Sequence, residues 1–293
     1  KINPNKDYFI LGLQSYASHD SGASILKFSK NKEPEIVAIS EERLSRKKYS
    51  YSFPTLSIKY CMDYFGLKDL NRIDVVISDW IRKKRWLRSG PGYNYTDFDY
   101  LKEKFKYNGK ILQIRHHLAH AASTYYTSGF KNSAILIIDG NGSDLETTTY
   151  YKGSNLKIKK IDSYHFRGIG DIYEIISSKI LNFGPGGEGK TMGLAPYGKK
   201  NSKIKIEHSS LGIETNFSEF VNRMPRTDLL SLKNKKLKKL QFRKKINTPK
   251  KMSKEYKDWA YAVQDLCEKT MVHLGGDIKK LTKSNNLCLA GGV

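Results

Sequence analysis

The stretch Ser133-Ala134-Ile135-Leu136-Ile137-Ile138-Asp139-Gly140 decides how the chain is read. An apolar, β-branched run that stops at Asp-Gly reads as a buried strand delivering a loop. A Gly/Asn/Ser loop follows, then a strand at Thr147–Tyr151, a turn at Gly153-Ser154-Asn155 and a strand at Leu156–Ile158. The same order stands near the beginning. Tyr8–Gln14 (YFILGLQ) is an apolar strand, Ser15–Gly22 a polar loop and Ala23–Phe28 a second strand. Asn31–Pro34 is a turn and Glu35–Ile39 a third strand. Strand, polar loop, strand, turn, strand thus occurs twice, and internal repetition outranks other fold signals.

Working outward, the first copy continues into a helical pattern. Leu56, Tyr60, Tyr64 and Leu67 recur at helical spacing after Pro54, and Ile73–Ser78 is a further strand. A helix after His116 carries Leu118, Ala119, Ala122 and Tyr126 on one face. The second copy has a helical stretch near 171–182. An amphipathic helix from about Lys254 follows, with Trp259, Val263, Leu266, Thr270 and Leu274 on its apolar stripe. A short strand, Asn286–Ala290, runs into Gly291-Gly292-Val293. A duplicated β-β-β-α-β unit builds the α/β fold of actin-like ATPases, in which two RNase-H-like copies aim their loops at one cleft. The expected subdomains are 1–130 and 131–293. The second is expected to be incomplete and to carry a polar insertion at about 200–254.

Composition narrows the classes. The chain has 293 residues, 39% of them hydrophobic, enough for a substantial core. No apolar run reaches membrane-spanning length, so no membrane partner is expected. The N-terminus has no signal-peptide-like stretch, and Cys61, Cys267 and Cys288 form no C-x-x-C pair, which suits a reducing cytoplasm. The start lacks Met and the end falls within a motif, so a longer parent protein is expected. The formal charge of +23 is concentrated in 233–254, which carries eleven Lys/Arg and no acid. No aromatics interleave there at base-stacking spacing, so a solvated insertion is expected rather than a nucleic-acid site.

The chemistry gathers at Arg115-His116-His117-Leu118-Ala119-His120. His116 and His120 are one helical turn apart, about 6 Å along the axis, and project from one face. Two imidazoles leave a divalent ion short of ligands. Asp139, a carboxylate at a strand end beside a Gly-rich loop, is the natural third. Two His plus one carboxylate with open positions suits Fe(II) and permits Zn(II). The loop Gly140-Asn141-Gly142-Ser143 can bring backbone amides to phosphate or carbonyl oxygens, as can Gly291-Gly292; taken alone, a hairpin turn accounts for the first loop equally well. Histidine is the side chain whose ordinary range lies near working pH, so His19, in Ser18-His19-Asp20-Ser21-Gly22, can contact or deprotonate an acceptor hydroxyl; turn chemistry alone is the plainer account of that loop. Lys48, in the charge-dense 41–49 segment, can hold a phosphate or carbonyl oxygen; a solvated helix start is the plainer account of that segment. Gly184 to Thr191 formally matches a P-loop. A helix end rather than a strand precedes it, however, and Met192–Pro196 is a poor start to a long helix.

Six ordered segments together resemble the carbamoyltransferase family of the nodulation-protein-U and aminoglycoside or cephalosporin O-carbamoyltransferase type. They are HDSGA (19–23), EERLSRKKYSYSFP (41–54), HHLAHAASTYYTSG (116–129), LIIDGNGS (136–143), GKTMGLAPYG (189–198) and LAGGV (289–293). The resemblance implies a domain similar to the tRNA threonylcarbamoyl-transferase fold, with a YrdC-like domain downstream. The latter makes carbamoyladenylate from ATP and carbamoyl phosphate. The former holds it at a metal and passes the carbamoyl to a hydroxyl of a sugar, antibiotic or glycan. It implies His116, His120 and Asp139 as metal ligands, with a fourth beyond Val293. It implies Lys48, Gly140–Ser143 and Gly291–Gly292 as carbamoyladenylate contacts and His19 as facing the acceptor. A homodimer is compatible with all of this. Tyr49 departs from the family's usual His, and Ser15–Ser18 lack an acidic residue some relatives carry, so the acceptor is left open. The fold alone also permits an actin-like ATPase or sugar kinase, but Mg prefers oxygen ligands to imidazole. A tRNA-modifying threonylcarbamoyl-transferase relative would share the metal site.

Overall fold

The computed structural model describes residues 3, 6–14, 21–48, 52–79, 97–140, 142–144, 146–165, 168–184, 186–204, 206–209, 212–215 and 249–293. Two compact units make up the chain, Lys1–Ala119 and His120–Val293.

The first unit is built on a five-stranded sheet. Its strands are β1 (Tyr8–Gln14), β2 (Gly22–Phe28), β3 (Glu35–Ser40), β4 (Val75–Ser78) and β5 (Lys110–Gln113), in the order β3-β2-β1-β4-β5. The first three form an antiparallel meander, whereas β4 and β5 join parallel to β1. β1 alternates: Phe9, Leu11 and Leu13 are buried and the residues between them less so, as expected of a strand whose faces differ. Helix α1 (Glu41–Ser45) follows β3, α2 (Thr55–Tyr64) covers β2 and β3, and α3 (Asp97–Phe105) precedes β5.

The face of α2 differs from the expectation. Leu56, Tyr60 and Tyr64 are exposed, while Ser57, Ile58, Cys61 and Met62 are buried. Both stripes have helical spacing. The sheet takes the narrower one, whose small Ser57 and Cys61 permit close approach, and the tyrosines keep their hydroxyls in water. The N-terminus of α2 is held from outside. The buried Glu41 carboxylate accepts from the Leu56 amide (3.1 Å), the Ser57 amide (2.8 Å) and the Ser57 hydroxyl (2.7 Å), supplying acceptors for otherwise orphaned helix amides. The first Glu of the EER segment is therefore part of the core rather than a solvated charge.

The second unit repeats the plan. Its sheet has β6 (Asn132–Ile138), β7 (Glu146–Ser154), β8 (Lys157–His165) and β11 (Leu287–Ala290), in the order β11-β6-β7-β8. β6, β7 and β8 are an antiparallel meander, and β11 joins parallel to β6. This is the first unit's order up to its fourth strand, so the chain carries the duplicated RNase-H-like plan of the actin-like fold. β6 is buried from Ser133 to Ile138. Ala134, Leu136 and Ile138 join a core with Ile169, Ile172 and Ile176, and with Tyr256, Val263 and Leu266. Those last three lie on α7 (Lys254–Thr282), whose N-cap Ser253 accepts from the Tyr256 amide at 3.2 Å.

The β7–β8 turn falls at Asn155 and Leu156, both at positive φ, rather than at Gly153–Asn155. Such a two-residue turn matches the twist of its strands. Gly153 lies within β7, where the Tyr125 ring occupies the space a side chain would need. Helix α5 (Ile169–Ile175) runs into a π-helical turn, Ile176–Ile180, and α6 (Glu188–Leu194) follows. Among the described residues, Gly189-Lys190-Thr191 therefore lies within a helix that follows a π-helical turn, where a P-loop would have a strand, and this argues against a P-loop. Two short strands, β9 (Ile206–Ser209) and β10 (Gly212–Thr215), pair with each other. The basic segment lies outside the described residues up to Thr248.

Candidate metal centre and ligand loops

Helix α4 (His116–Thr127) is one continuous element, and the division between the units falls inside it. Its inward stripe is His117, Ala121 and Tyr125, while Tyr126 is exposed, so the expected stripe Leu118–Tyr126 is displaced by one position. The shift turns His116 and His120 toward the loop after β6. One ligand atom from each of His116, His120 and Asp139 lies within 4.8 Å of the others. Their side chains are 12%, 29% and 15% exposed, which leaves an approach for a small ligand.

Asp139 is held with its two oxygens distinguished. Oδ1 accepts from the amides of Gly140 (2.8 Å) and Gly292 (3.3 Å), while Oδ2 lies 3.2 Å from His120 Nε2. Two ligands bonded at about 2.1 Å and subtending roughly a right angle at one metal sit about 3 Å apart, so the pair has coordination spacing. The donor set of two imidazoles and a carboxylate fits a first-row divalent ion.

The two Gly loops meet because β6 and β11 are parallel neighbours, both ending on the same edge of the sheet. Ligands of α/β folds gather where adjacent strands end together. Gly291 has φ +125, and a side chain there would overlap the Ile138 carbonyl oxygen; at Gly292 it would press on Asp139 Oδ1. Both glycines are thus required by close backbone approach. In the other loop, buried Glu146 closes the bend. Its carboxylate accepts from the Asp144 amide at 2.6 Å and its carbonyl from the Gly142 amide at 2.7 Å. Gly142 and Ser143 lie in that bend, whereas Asn141 and His19 lie outside the described residues. Lys48 is exposed, after α1 in the first unit.

Three residues escaped the sequence reading. Asp79, just after β4, approaches His116 Nδ1 with Oδ2 at 3.2 Å. Glu146 looked like an ordinary strand start. Asp171 opens α5 beside the Asp139 loop. Burial pushes its carboxyl up to about 6, opposed by the Gly168 amide and assisted by the negative charges of Glu174 and Asp139. A carboxylate at a strand end was the signal used for Asp139, and it would have found Asp79 too.

The sequence profile of the family described as "Carbamoyltransferase N-terminus" matches residues 9–293, and the chain belongs to that family. The chain is 27% identical over 318 residues to the uncharacterized protein sll1178 of Synechocystis sp., covering 97% of this chain and 50% of that protein. It is 28% identical over 311 residues to nodulation protein NolNO of Sinorhizobium fredii, covering 100% of this chain and 42% of that protein. It therefore spans about half the length of these curated relatives. The crystal structure of T. kodakarensis HypF aligns over 100% of this chain and 42% of its own, at 13% identity and a TM-score of 0.49. No described helix is long and apolar enough to cross a membrane.

Proposed function

We propose that this chain is the acceptor half of an O-carbamoyltransferase, which receives carbamoyladenylate and passes its carbamoyl group to a hydroxyl of a sugar or other small molecule. One observation carries the reading: His116, His120 and Asp139 offer ligand atoms within 4.8 Å of one another, beside two glycine loops. A divalent metal bound there, Fe(II) or Zn(II), would supply Lewis acidity toward a carbonyl or phosphate oxygen. Gly140, Asn141, Gly142, Ser143, Gly291 and Gly292 are the residues that contact the adenylate in this reading. Lys48 offsets negative charge as the transition state develops. His19 takes the proton of the acceptor hydroxyl. The hydroxyl oxygen forms a bond to the carbamoyl carbon, that carbon's bond to the phosphate oxygen breaks, and AMP leaves. Carbamoyladenylate itself comes from ATP and carbamoyl phosphate in a YrdC-like domain of the parent protein. The subdomain limits, 1–130 and 131–293, and a cytoplasmic location belong to the same proposal.

Elemental analysis of anaerobically purified protein tests the central link. Near-stoichiometric iron or zinc, lost in the His116→Ala/His120→Ala variant, is expected. Equal metal in both proteins, or none in either even when the protein extends past Val293, would sink the reading.

A further inference from the structure

We infer that Asp79 is a positioning residue for the proposed metal centre: it holds the Nδ1–H of His116, which leaves Nε2 as the nitrogen that faces the metal. The inference rests on the proposed metal reading and deepens it.

The geometry is local and specific. Asp79 directly follows β4, the strand parallel to the central β1, and its amide donates to the Leu13 carbonyl at 3.2 Å. The next parallel strand, β5, leads into α4 by way of Ile114, whose amide donates to the Ser78 carbonyl at 2.9 Å. The backbone ladder therefore fixes both ends of the contact. Asp79 Oδ2 lies 3.2 Å from His116 Nδ1, and the two side chains are 20% and 12% exposed.

A neutral imidazole has one protonated nitrogen and one lone pair. A carboxylate can only accept, so Asp79 selects the tautomer with the proton on Nδ1. His120 presents the matching arrangement, with Nε2 rather than Nδ1 beside Asp139 Oδ2. The donor set becomes Nε2 of His116, Nε2 of His120 and Oδ2 of Asp139. Outer carboxylates of this kind orient a ligating imidazole and raise its basicity, and their loss typically costs roughly 10- to 100-fold in metal affinity.

The intact protein is compared with Asp79→Ala, Asp79→Asn and His116→Ala. Co(II) and Zn(II) dissociation constants are measured by competition with a chelating dye, and long-range 15N–1H spectra of the metal-free protein report the His116 ring. Wild type is expected to show His116 protonated on Nδ1. Asp79→Ala is expected to weaken metal binding roughly 10- to 100-fold. Asp79→Asn, whose amide oxygen still accepts, is expected to restore most of that loss and to keep the tautomer. His116→Ala is expected to abolish tight binding. If His116→Ala weakens binding but Asp79→Ala does not, the inference fails while the metal reading stands. If neither variant changes affinity, the metal reading itself fails. A wild-type His116 protonated on Nε2 overturns the inference without any metal present, and so does not depend on how well Asp79→Ala folds.

Discussion

The two sheets of this chain follow one plan and bury their central strands differently. β1 hides alternate residues, with Leu11 and Leu13 buried and Ile10 partly open. β6 hides every residue from Ser133 to Ile138. In the first sheet β5 lies beyond β4; in the second, β11 is the outermost strand among the described residues, and Leu287 and Leu289 are exposed. The same topology thus tolerates a half-covered and a fully covered central strand. The fully covered one carries Asp139, held between two glycine loops.

Neighbouring truncations probe that difference most strongly. Leu136→Ala and Ile137→Ala, adjacent on β6, should each lower stability by about 3 kcal/mol, because each opens a cavity in a packed face. On β1 Leu11→Ala should approach that cost, and Ile10→Ala should fall clearly below it. Urea unfolding midpoints decide, and equal losses at Ile10 and Leu11 would break the contrast.

Next in size is Glu41→Ala in the first unit, which leaves two helix amides and a buried hydroxyl without their acceptor. About 2 kcal/mol should be lost, read from the same midpoints. Glu41→Gln keeps one acceptor oxygen and should lose less. A neutral Glu41→Ala would mean that α2 is capped by something else.

Asp171 sharpens the comparison through pH. Its folded-state value, about 6, lies above the ordinary carboxyl value of 3.8. Its contribution to stability is therefore fully present below the ordinary value and is lost as pH rises through about 6. Asp171→Asn mimics the protonated form. It should be more stable than the parent by about 1–2 kcal/mol at neutral pH, after allowance for solvent screening, with the gap closing toward pH 4. Thermal midpoints across that range are the check, and a gap independent of pH would refute the assignment. The smallest effect belongs to Leu289→Ser on β11, expected within about 0.5 kcal/mol because the side chain is 52% exposed. A loss of core size would show that this face is covered in solution.

The repeat was legible because YFILGLQ and SAILIIDG each end in a loop that opens an antiparallel meander, and strand order survives where residue identity does not. The His116/His120 pair was legible because four residues make one helical turn. What escaped depends on partners distant in sequence or on which of two similar stripes faces inward. Leu56, Tyr60 and Tyr64 match a helical period as well as Ile58, Cys61 and Met62 do, and only the sheet beneath chooses between them. Glu41 looked solvated because its partners, Leu56 and Ser57, begin a different helix. Asp79 and His116 are 37 residues apart and meet only through the parallel pairing of β4 and β5.

The amide that steadies Asp139 comes from Gly292, 153 residues further along the chain. On the ribosome, β6, β7 and β8 can pair as soon as they emerge, since their contacts are local. Oδ1 of Asp139 must then wait, held by Gly140 alone, until β11 has been synthesised and docked. The proposed centre therefore gains the second of the two backbone amides on Asp139 Oδ1 only after the chain through Gly292 has been made.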